Sequence, residues 1–188
     1  MSRFSIKILS QNWLVAEHSE YDRCSHGTLQ LSINNIPITD PKSYDDTYGI
    51  SEAALGLLRT LEQDYEPDKN DRLIPHGCGL ILMMGCLIGI NWRVIHSGDQ
   101  VLISDVVRYD EMSLEPTRQF PEAETVIDNA EYRAEILRFA REVKEFFDAN
   151  PHRRFKGVKG LFKRSDKKQE YKEFWREFND IYQRQSLL

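Results

Sequence analysis

Apolar and polar residues alternate in two stretches near the start of the chain, which predicts two half-buried β-strands. Residues 4–8 and 29–33 each place an apolar side chain at every second position. Successive side chains of a strand point to opposite faces, so each stretch would bury one face against a core. The pair Asn34-Asn35 follows the second stretch. Because asparagine tolerates the backbone of tight turns, we expect the chain to reverse there.

Two further stretches repeat apolar residues at helical spacing and carry signals for where a helix begins and ends. The first has Ser51 as its predicted N-cap and ends near Asp64, where a loop-forming sequence follows. The second has Asp128 and Glu131 at the spacing of a capping box, and it ends at Asn150, before a proline. Each stretch predicts an amphipathic helix with one face toward the core.

A third helix is predicted near the C-terminal end, over about residues 166–184 and starting near Ser165. Its apolar residues share one face, and most are aromatic: Tyr171, Phe174, Trp175, Phe178, Ile181 and Tyr182. We interpret this stripe as core packing against the sheet, because large aromatic side chains dominate buried cores. The alternative is a face or groove that binds a partner.

The centre of the chain, residues 73–109, predicts β-structure. Residues 97–100 supply a turn signal between two alternating stretches, and residues 80–88 are apolar on both faces, as in a central strand. Strands precede helices without regular β-α-β alternation. We therefore expect a single α+β domain over residues 1–188, built as a mostly antiparallel sheet with three helices packed on it.

Charge is distributed unevenly along the chain. The net charge is −5, but residues 1–150 carry 25 acidic against 14 basic side chains, and residues 151–188 carry 5 against 11. An acidic body attracts basic proteins and repels polyanions, which argues against nucleic acid as a partner. The basic connector, about residues 151–168, either docks on this acidic body or binds something else. Its candidate partner-binding side chains are Arg153, Arg154, Lys156, Lys159, Lys163 and Arg164.

Membrane and secretion signals are weak. The start of the chain has no unbroken apolar stretch of the signal-peptide kind, and the most apolar stretch, residues 79–90, is well short of the roughly 20 residues of a membrane helix. The odd number of cysteines, Cys24, Cys78 and Cys86, argues against a disulfide framework. These features predict a cytoplasmic protein. The same features do not exclude a homodimer.

Two Cys/His pairs, Cys24 with His26 and His76 with Cys78, have one residue between their members. In extended chain each pair can aim a thiolate and an imidazole at one point. Together the four side chains would supply the two sulfur and two nitrogen ligands of a tetrahedral zinc site. However, structural zinc sites usually space paired ligands two to four residues apart, and free cysteines commonly pack in cores. A protein without a cofactor is therefore favoured, with zinc as the alternative.

Cysteine nucleophilicity is a second interpretation of the same residues. The nucleophile would be the thiol of Cys24 or Cys78. The base would be His26, His76 or His96, and the carboxylate that orients the base would be Asp22 or Asp105. No signature of a known cysteine enzyme surrounds them, and a cysteine among apolar strands tends to stay protonated. We therefore favour a protein that is not an enzyme, with a thiol- or zinc-dependent enzyme as the alternative.

Two passages carry a resemblance to known proteins. They are residues 85–92, Gly-Cys-Leu-Ile-Gly-Ile-Asn-Trp, followed by a hairpin strand, and residues 171–178, Tyr-Lys-Glu-Phe-Trp-Arg-Glu-Phe. They resemble passages in small uncharacterised bacterial proteins, some of them similar in kind to immunity proteins of toxin systems or to other stand-alone interaction proteins. The resemblance implies an acidic, cytoplasmic, single-domain protein that binds another protein, and it implies no catalytic residues.

Overall fold

The computed structural model confirms an α+β fold. It describes residues 3–14, 20–40, 47–68, 70–77, 86–151, 153–154 and 164–188, of which 164–167 are described by their backbone alone. The strands are β1 (Phe4–Ile8), β2 (His26–Gly27), β3 (Leu29–Ile33), β4 (Ile36–Pro37), β5 (Tyr48–Gly49), β6 (Ile74–Pro75), β7 (Gly89–Ser97), β8 (Gln100–Tyr109), β9 (Arg118–Gln119) and β10 (Thr125–Asp128). The helices are α1 (Ile50–Arg59), α2 (Asn129–Asp148) and α3 (Arg164–Ser186).

The two predicted N-terminal strands are confirmed, and the structure makes them neighbours in one antiparallel sheet. Its order is β1-β3-β4, and Phe4 lies opposite Ile33. Asn34 and Asn35 join β3 to β4 with φ angles of 53° and 64°. A tight hairpin turn that requires positive φ at both central positions favours asparagine, which explains the turn that the sequence predicts.

A larger antiparallel sheet has the order β10-β8-β7-β6, with β9 also paired to β8. The predicted β7–β8 hairpin is confirmed, and its turn contains Gly98 at a φ of 60°. The register between β7 and β8 shifts between Asn91 and Arg93, because β8 carries a β-bulge in which Asp105 has a φ of 53°. Of the predicted strand 80–88, residues 86–88 lie outside any strand, and residues 80–85 lie outside the described residues.

Helix α1 differs from its prediction at both ends. Its N-cap is Gly49, and Ser51 lies inside the first turn, where its hydroxyl accepts a hydrogen bond from the backbone N–H of Ser25 at 2.9 Å. The predicted capping role of Ser51 is therefore wrong, because a distant segment uses this hydroxyl. The helix ends at Arg59 instead of near Asp64, and a short turn follows it.

Helix α2 is capped by Asp128, as predicted, whose carboxylate accepts the N–H of Ala130 at 2.8 Å. Glu131 does not complete the capping box in the expected way. Its carboxylate accepts the backbone N–H of Arg3 at 2.9 Å. Helix α2 therefore begins with contacts to the N-terminal sheet.

Side chains of α2 cover the open edge of β1. The carboxylate of Glu135 accepts the N–H of Ile6 at 2.9 Å, and the guanidinium of Arg138 donates to the carbonyl of Ile6. An uncovered strand edge can pair with another chain, so this contact both stabilises the fold and blocks edge-to-edge association.

Glu135→Ala should remove this edge protection. We expect a loss of roughly 1–3 kcal/mol of unfolding free energy, because the N–H of Ile6 loses its acceptor, together with new self-association. Chemical unfolding and analytical ultracentrifugation measure the two effects. Glu142→Ala is the matched control, since Glu142 pairs with Arg138 one turn further along the helix. Equal stability and unchanged association state for the two variants would contradict this role of Glu135.

The aromatic face of α3 is buried, as predicted, but it packs mainly against α1 and α2 instead of against the sheet. Phe174, Phe178 and Ile181 are buried in the same hydrophobic cluster as residues of both sheets. Two bidentate ion pairs reinforce this packing. Arg59 of α1 pairs with Glu177 of α3 at 2.7–2.8 Å, and Arg184 of α3 pairs with Glu62, in the turn after α1, at 2.9 Å.

Helices of the described part of the chain are too short or too polar to cross a membrane.

Candidate functional site

Cys24 lies just before β2 and is a buried, neutral thiol. It is 1% exposed, and its side chain is hydrogen-bonded to Glu52 in the first turn of α1. Burial, followed by the adjacent Glu52 carboxylate, raises the pKa of Cys24 far above its ordinary value. A thiol held in this way is a poor nucleophile and a poor metal ligand, because both roles require the thiolate.

The protein interior shifts the pKa of the Glu52 carboxyl group. Burial raises the pKa of Glu52 to about 7, while hydrogen bonds from Cys24 and Ser51 act in the opposite direction. The Ser51 hydroxyl donates to Glu52 Oε2 at 2.9 Å. A Cβ at Gly49 would lie 3.0 Å from the same oxygen, so the glycine makes room for the carboxylate. Glu52 therefore changes charge near neutral pH.

His26, on β2, is a buried imidazole without satisfied ring nitrogens. It is 4% exposed, and neither ring nitrogen has a hydrogen-bond partner in the described part of the protein. Burial lowers the pKa of His26, and His76 lowers it further, whereas Asp22 and the backbone of Gly77 raise it. A buried polar group without a partner requires an explanation.

His76 and Cys86 form a second thiol–imidazole pair. The backbone of His76 bridges to Tyr48 of β5, and its Nδ1 lies 3.9 Å from Sγ of Cys86. Both side chains are half-buried. Cys86 precedes Leu87, whose carbonyl accepts a hydrogen bond from the buried guanidinium of Arg72 at 2.8 Å. Cys86 is therefore placed differently from Cys24, beside an imidazole instead of a carboxylate.

The zinc site predicted at Cys24, His26, His76 and Cys78 is brought together only in part. Strands β2 and β5 pair, and His76 bridges to β5, so Cys24, His26 and His76 belong to one region. Cys78 lies outside the described residues. Within the part of the chain that is described, no group of three or more His, Cys, Asp or Glu side chains is arranged to hold a metal ion. The four-ligand zinc site stays a prediction.

Two residues considered for thiol catalysis lie elsewhere. His96, on β7, contacts the carboxylate of Asp64 through Nδ1 at 3.1 Å. Asp105 is exposed at the bulge of β8. Neither pairs with Cys24, whose hydrogen-bond partner is Glu52. Sequence reasoning did not single out Glu52, because the first turn of a helix commonly carries a solvated acidic residue.

The described part of the basic connector docks on the chain itself. The guanidinium of Arg153 lies 3.6 Å from the ring centroid of Trp13 and donates to the carbonyl of Asn150 at 2.7 Å. The backbone N–H of Arg154 donates to the carbonyl of Glu20 at 2.6 Å. The remaining predicted partner-binding residues are outside the described residues or described by backbone alone: Lys156, Lys159, Lys163 and Arg164. Binding of a partner by this connector stays a prediction.

An acidic edge is formed by β8 and the segments that flank it or pair with it, a feature that the net charge indicated but did not locate. Residues 99–128 contain eight acidic and two basic side chains, Arg108 and Arg118. Arg108 is buried and paired with Asp110, and Arg118 lies 3.5 Å from the same carboxylate. We define the acidic edge by its seven other carboxylates, all exposed: Asp99, Asp105, Glu111, Glu115, Glu122, Glu124 and Asp128.

Strand pairing brings Asp99 and Asp128 together and places β9 and β10 beside β8. Asp128 of β10 lies opposite Gln100 of β8, and the N–H of Asn129 donates to the carbonyl of Asp99 at 2.8 Å. Further along, Gln119 of β9 lies opposite Val107 of β8. Among the described residues, none of the seven carboxylates forms an ion pair with a basic side chain.

Exposed apolar side chains interrupt the acidic edge. Met112, Leu114 and Val126 are 61%, 51% and 41% exposed. The guanidinium of Arg3 reaches this region from before β1 and donates to the carbonyl of Val126 at 2.9 Å. Carboxylates with interspersed apolar groups are the composition of a surface that a basic, partly apolar partner can cover.

Comparison of the chain with models of protein families, with curated proteins and with solved structures found no match.

Proposed function

We propose that this chain is a non-enzymatic binding protein that engages a basic protein through its acidic edge. The observation that carries the proposal is the set of seven exposed carboxylates without basic partners among the described residues. Opposite charges across an interface accelerate encounter and discriminate against wrong partners.

The backbone beneath the acidic edge is held in place, which favours binding. The side-chain amide of Asn34 donates to the carbonyls of Glu122 and Glu124, at 3.0 and 3.3 Å. The N–H of Phe120 donates to the carbonyl of Val106 at 2.9 Å. A surface that is ordered before binding loses less conformational entropy when the partner arrives.

A thiol-dependent enzyme has less support. Burial and Glu52 keep Cys24 in the neutral thiol form, which neither attacks a substrate nor binds zinc. The thiol considered alongside it, Cys78, lies outside the described residues. The enzyme therefore stays the alternative to the binding protein.

The partner in this proposal is a basic toxin, and the chain is its cytoplasmic, immunity-type inhibitor. This finer part rests on the resemblance of residues 85–92 and 171–178 to passages of small bacterial interaction proteins. The acidic edge supports it only by charge, since a basic protein of another class would meet the same surface.

Affinity capture from the native host at low ionic strength tests the proposal. We expect the wild-type chain to retain a basic protein and the double variant Glu122→Lys/Glu124→Lys to lose at least about tenfold in affinity for it, because like charges then face each other. The matched control is Glu145→Lys/Asp180→Lys, which makes the same change in net charge at exposed positions of α2 and α3.

Equal loss of affinity in both double variants would show that net charge alone matters, and it would contradict a defined binding edge. Retention of the partner by the Glu122/Glu124 variant would contradict the proposal as well.

A further inference from the structure

We propose that the basic partner lays an amphipathic helix across the outer face of the larger sheet, over a row of three apolar side chains beside the acidic edge. The three side chains, which we call the apolar row, are Ile95, Leu102 and Val126. The inference rests on the proposed function, because it names the kind of segment through which the partner of the acidic edge binds.

The apolar row crosses three neighbouring strands. Leu102 of β8 lies directly opposite Ile95 of β7 on one side and Val126 of β10 on the other. Residues that lie opposite each other in antiparallel strands point to the same face of the sheet. The row is therefore contiguous, and it spans about 10 Å, since neighbouring strands lie about 4.8 Å apart.

The apolar row lies on the face of the sheet that is turned away from the core. Successive side chains of a strand point to opposite faces. The chain neighbours of the row belong to the hydrophobic core: Val94, Val101, Ile103 and Ile127. Ile95 and Leu102 are only half-buried, and Val126 is 41% exposed. Three adjacent apolar side chains therefore reach solvent on this face.

Carboxylates stand at both ends of the apolar row. At the β10 end, Glu124 and Asp128 are exposed and lie two residues before and two residues after Val126. At the β7 end, the carboxylate of Asp64 accepts the backbone N–H of His96 at 2.8 Å, next to the position of Ile95. An apolar strip with negative charge at its ends is complementary to an apolar strip flanked by lysine or arginine.

Basic side chains near the row do not cancel this charge. Arg93, two residues before Ile95, donates to the carboxylate of Glu66 at 2.7 Å. Arg3 donates to the carbonyl of Val126 at 2.9 Å, and the two exposed carboxylates on either side of Val126 outnumber it. The surface around the row is therefore negative on balance, which favours a basic partner.

The strand edges beside the row are occupied, so the partner lies on the face of the sheet instead of adding a strand to it. At β10, the carbonyl of Val126 accepts the guanidinium of Arg3. At β7, the N–H and carbonyl of Val94 bond to the backbone of Tyr65 at 2.9 and 2.8 Å. Apolar side chains at positions i, i+3 or i+4, and i+7 of a helix span about 10.5 Å, which matches the length of the row.

A fluorescently labelled peptide of about 18 leucine and lysine residues, with the leucines at helical spacing on one face, tests the inference. A second peptide has the same composition in an order that leaves no apolar face. Fluorescence anisotropy measures the affinity of each for the full chain. We expect the first peptide to bind at least about tenfold more tightly than the second, because only the first covers the row while its lysines meet the carboxylates.

Ile95→Thr/Leu102→Thr should weaken binding of the first peptide at least about tenfold and leave the salt dependence of binding unchanged, since it removes apolar contact and no charge. Threonine suits a strand, so the fold should persist. The matched control is Leu9→Thr, at a position that is 48% exposed just after β1, and it should bind as the wild type does. Unfolding curves show whether each variant folds. Val126→Thr is the second variant if the double variant does not fold.

Equal affinity of the two peptides for the wild type, or equal affinity of the wild type and the row variant for the first peptide, overturns the inference. Failure of the first peptide to bind overturns it as well. Each of these outcomes leaves the acidic edge standing, because the capture experiment with Glu122→Lys/Glu124→Lys judges that proposal separately.

Discussion

Phe178→Ala is expected to destabilise the protein by about 3–5 kcal/mol, since it removes a large aromatic ring from a well-packed interior. Phe178 is fully buried, and its ring lies 4.9 Å from that of Trp175 and 6.4 Å from that of Phe174. Because the aromatic face of α3 belongs to the hydrophobic core, loss of the Phe178 ring should loosen the contacts of this helix with α1 and α2. Urea unfolding followed by circular dichroism measures the change.

Lys172→Ala is the control for Phe178→Ala, because Lys172 is exposed on the same helix. It should change stability by no more than about 0.5 kcal/mol. Similar unfolding midpoints for the wild type and Phe178→Ala would mean that the aromatic stripe contributes little to folding. The stripe would then have to be reconsidered as a surface for a partner.

Glu52→Gln is expected to stabilise the protein at pH 8 and to have little effect at pH 4.5. Burial raises the pKa of Glu52 from 4.5 to about 7, so the folded protein binds more protons than the unfolded chain between these values. The contribution of Glu52 to the unfolding free energy is therefore fully present below the pKa that Glu52 has in the unfolded chain. It is lost as pH rises through the pKa that Glu52 has in the folded protein. The shift corresponds to roughly 3 kcal/mol. The amide of glutamine keeps an acceptor for Cys24 and has no charge to bury.

Unfolding free energies of the wild type and Glu52→Gln should be measured from pH 4.5 to pH 8. The difference between them isolates Glu52, because the opposite pH dependence of His26, whose pKa is lowered, is common to both proteins. The control is Glu173→Gln, an exposed position on α3. A difference that stays constant with pH, or that shrinks as pH rises, would contradict the buried carboxylate.

Local patterns predicted much of the fold because the elements concerned are defined by their own residues. The strands β1 and β3 and the helices α2 and α3 follow periodicity and capping signals. The prediction for helix α1 is less accurate at its N-cap, because the Ser51 hydroxyl accepts a hydrogen bond from the distant backbone N–H of Ser25. Gly56 lies inside α1, where glycine is unfavourable. It also has a long-range explanation, since a Cβ there would lie 3.3 Å from the carbonyl of Leu73.

The candidate sites depend on contacts that the sequence does not encode locally. The Cys24–Glu52 pair joins a segment before β2 to the first turn of α1, and nothing in the sequence marks that glutamate as buried. The excess of acidic residues in 99–128 is visible in the sequence. Strand pairing is needed to show that Asp99 and Asp128 lie at the same place on the sheet edge.

Salt dependence of partner binding tests the central claim most directly. The affinity of the captured partner should be measured from low to high ionic strength for the wild type and for Glu122→Lys/Glu124→Lys. The account predicts that wild-type affinity falls steeply with salt and that the variant binds weakly at every ionic strength, because exposed charges are screened by salt. An affinity that is independent of salt and equal in both proteins would contradict binding through the acidic edge.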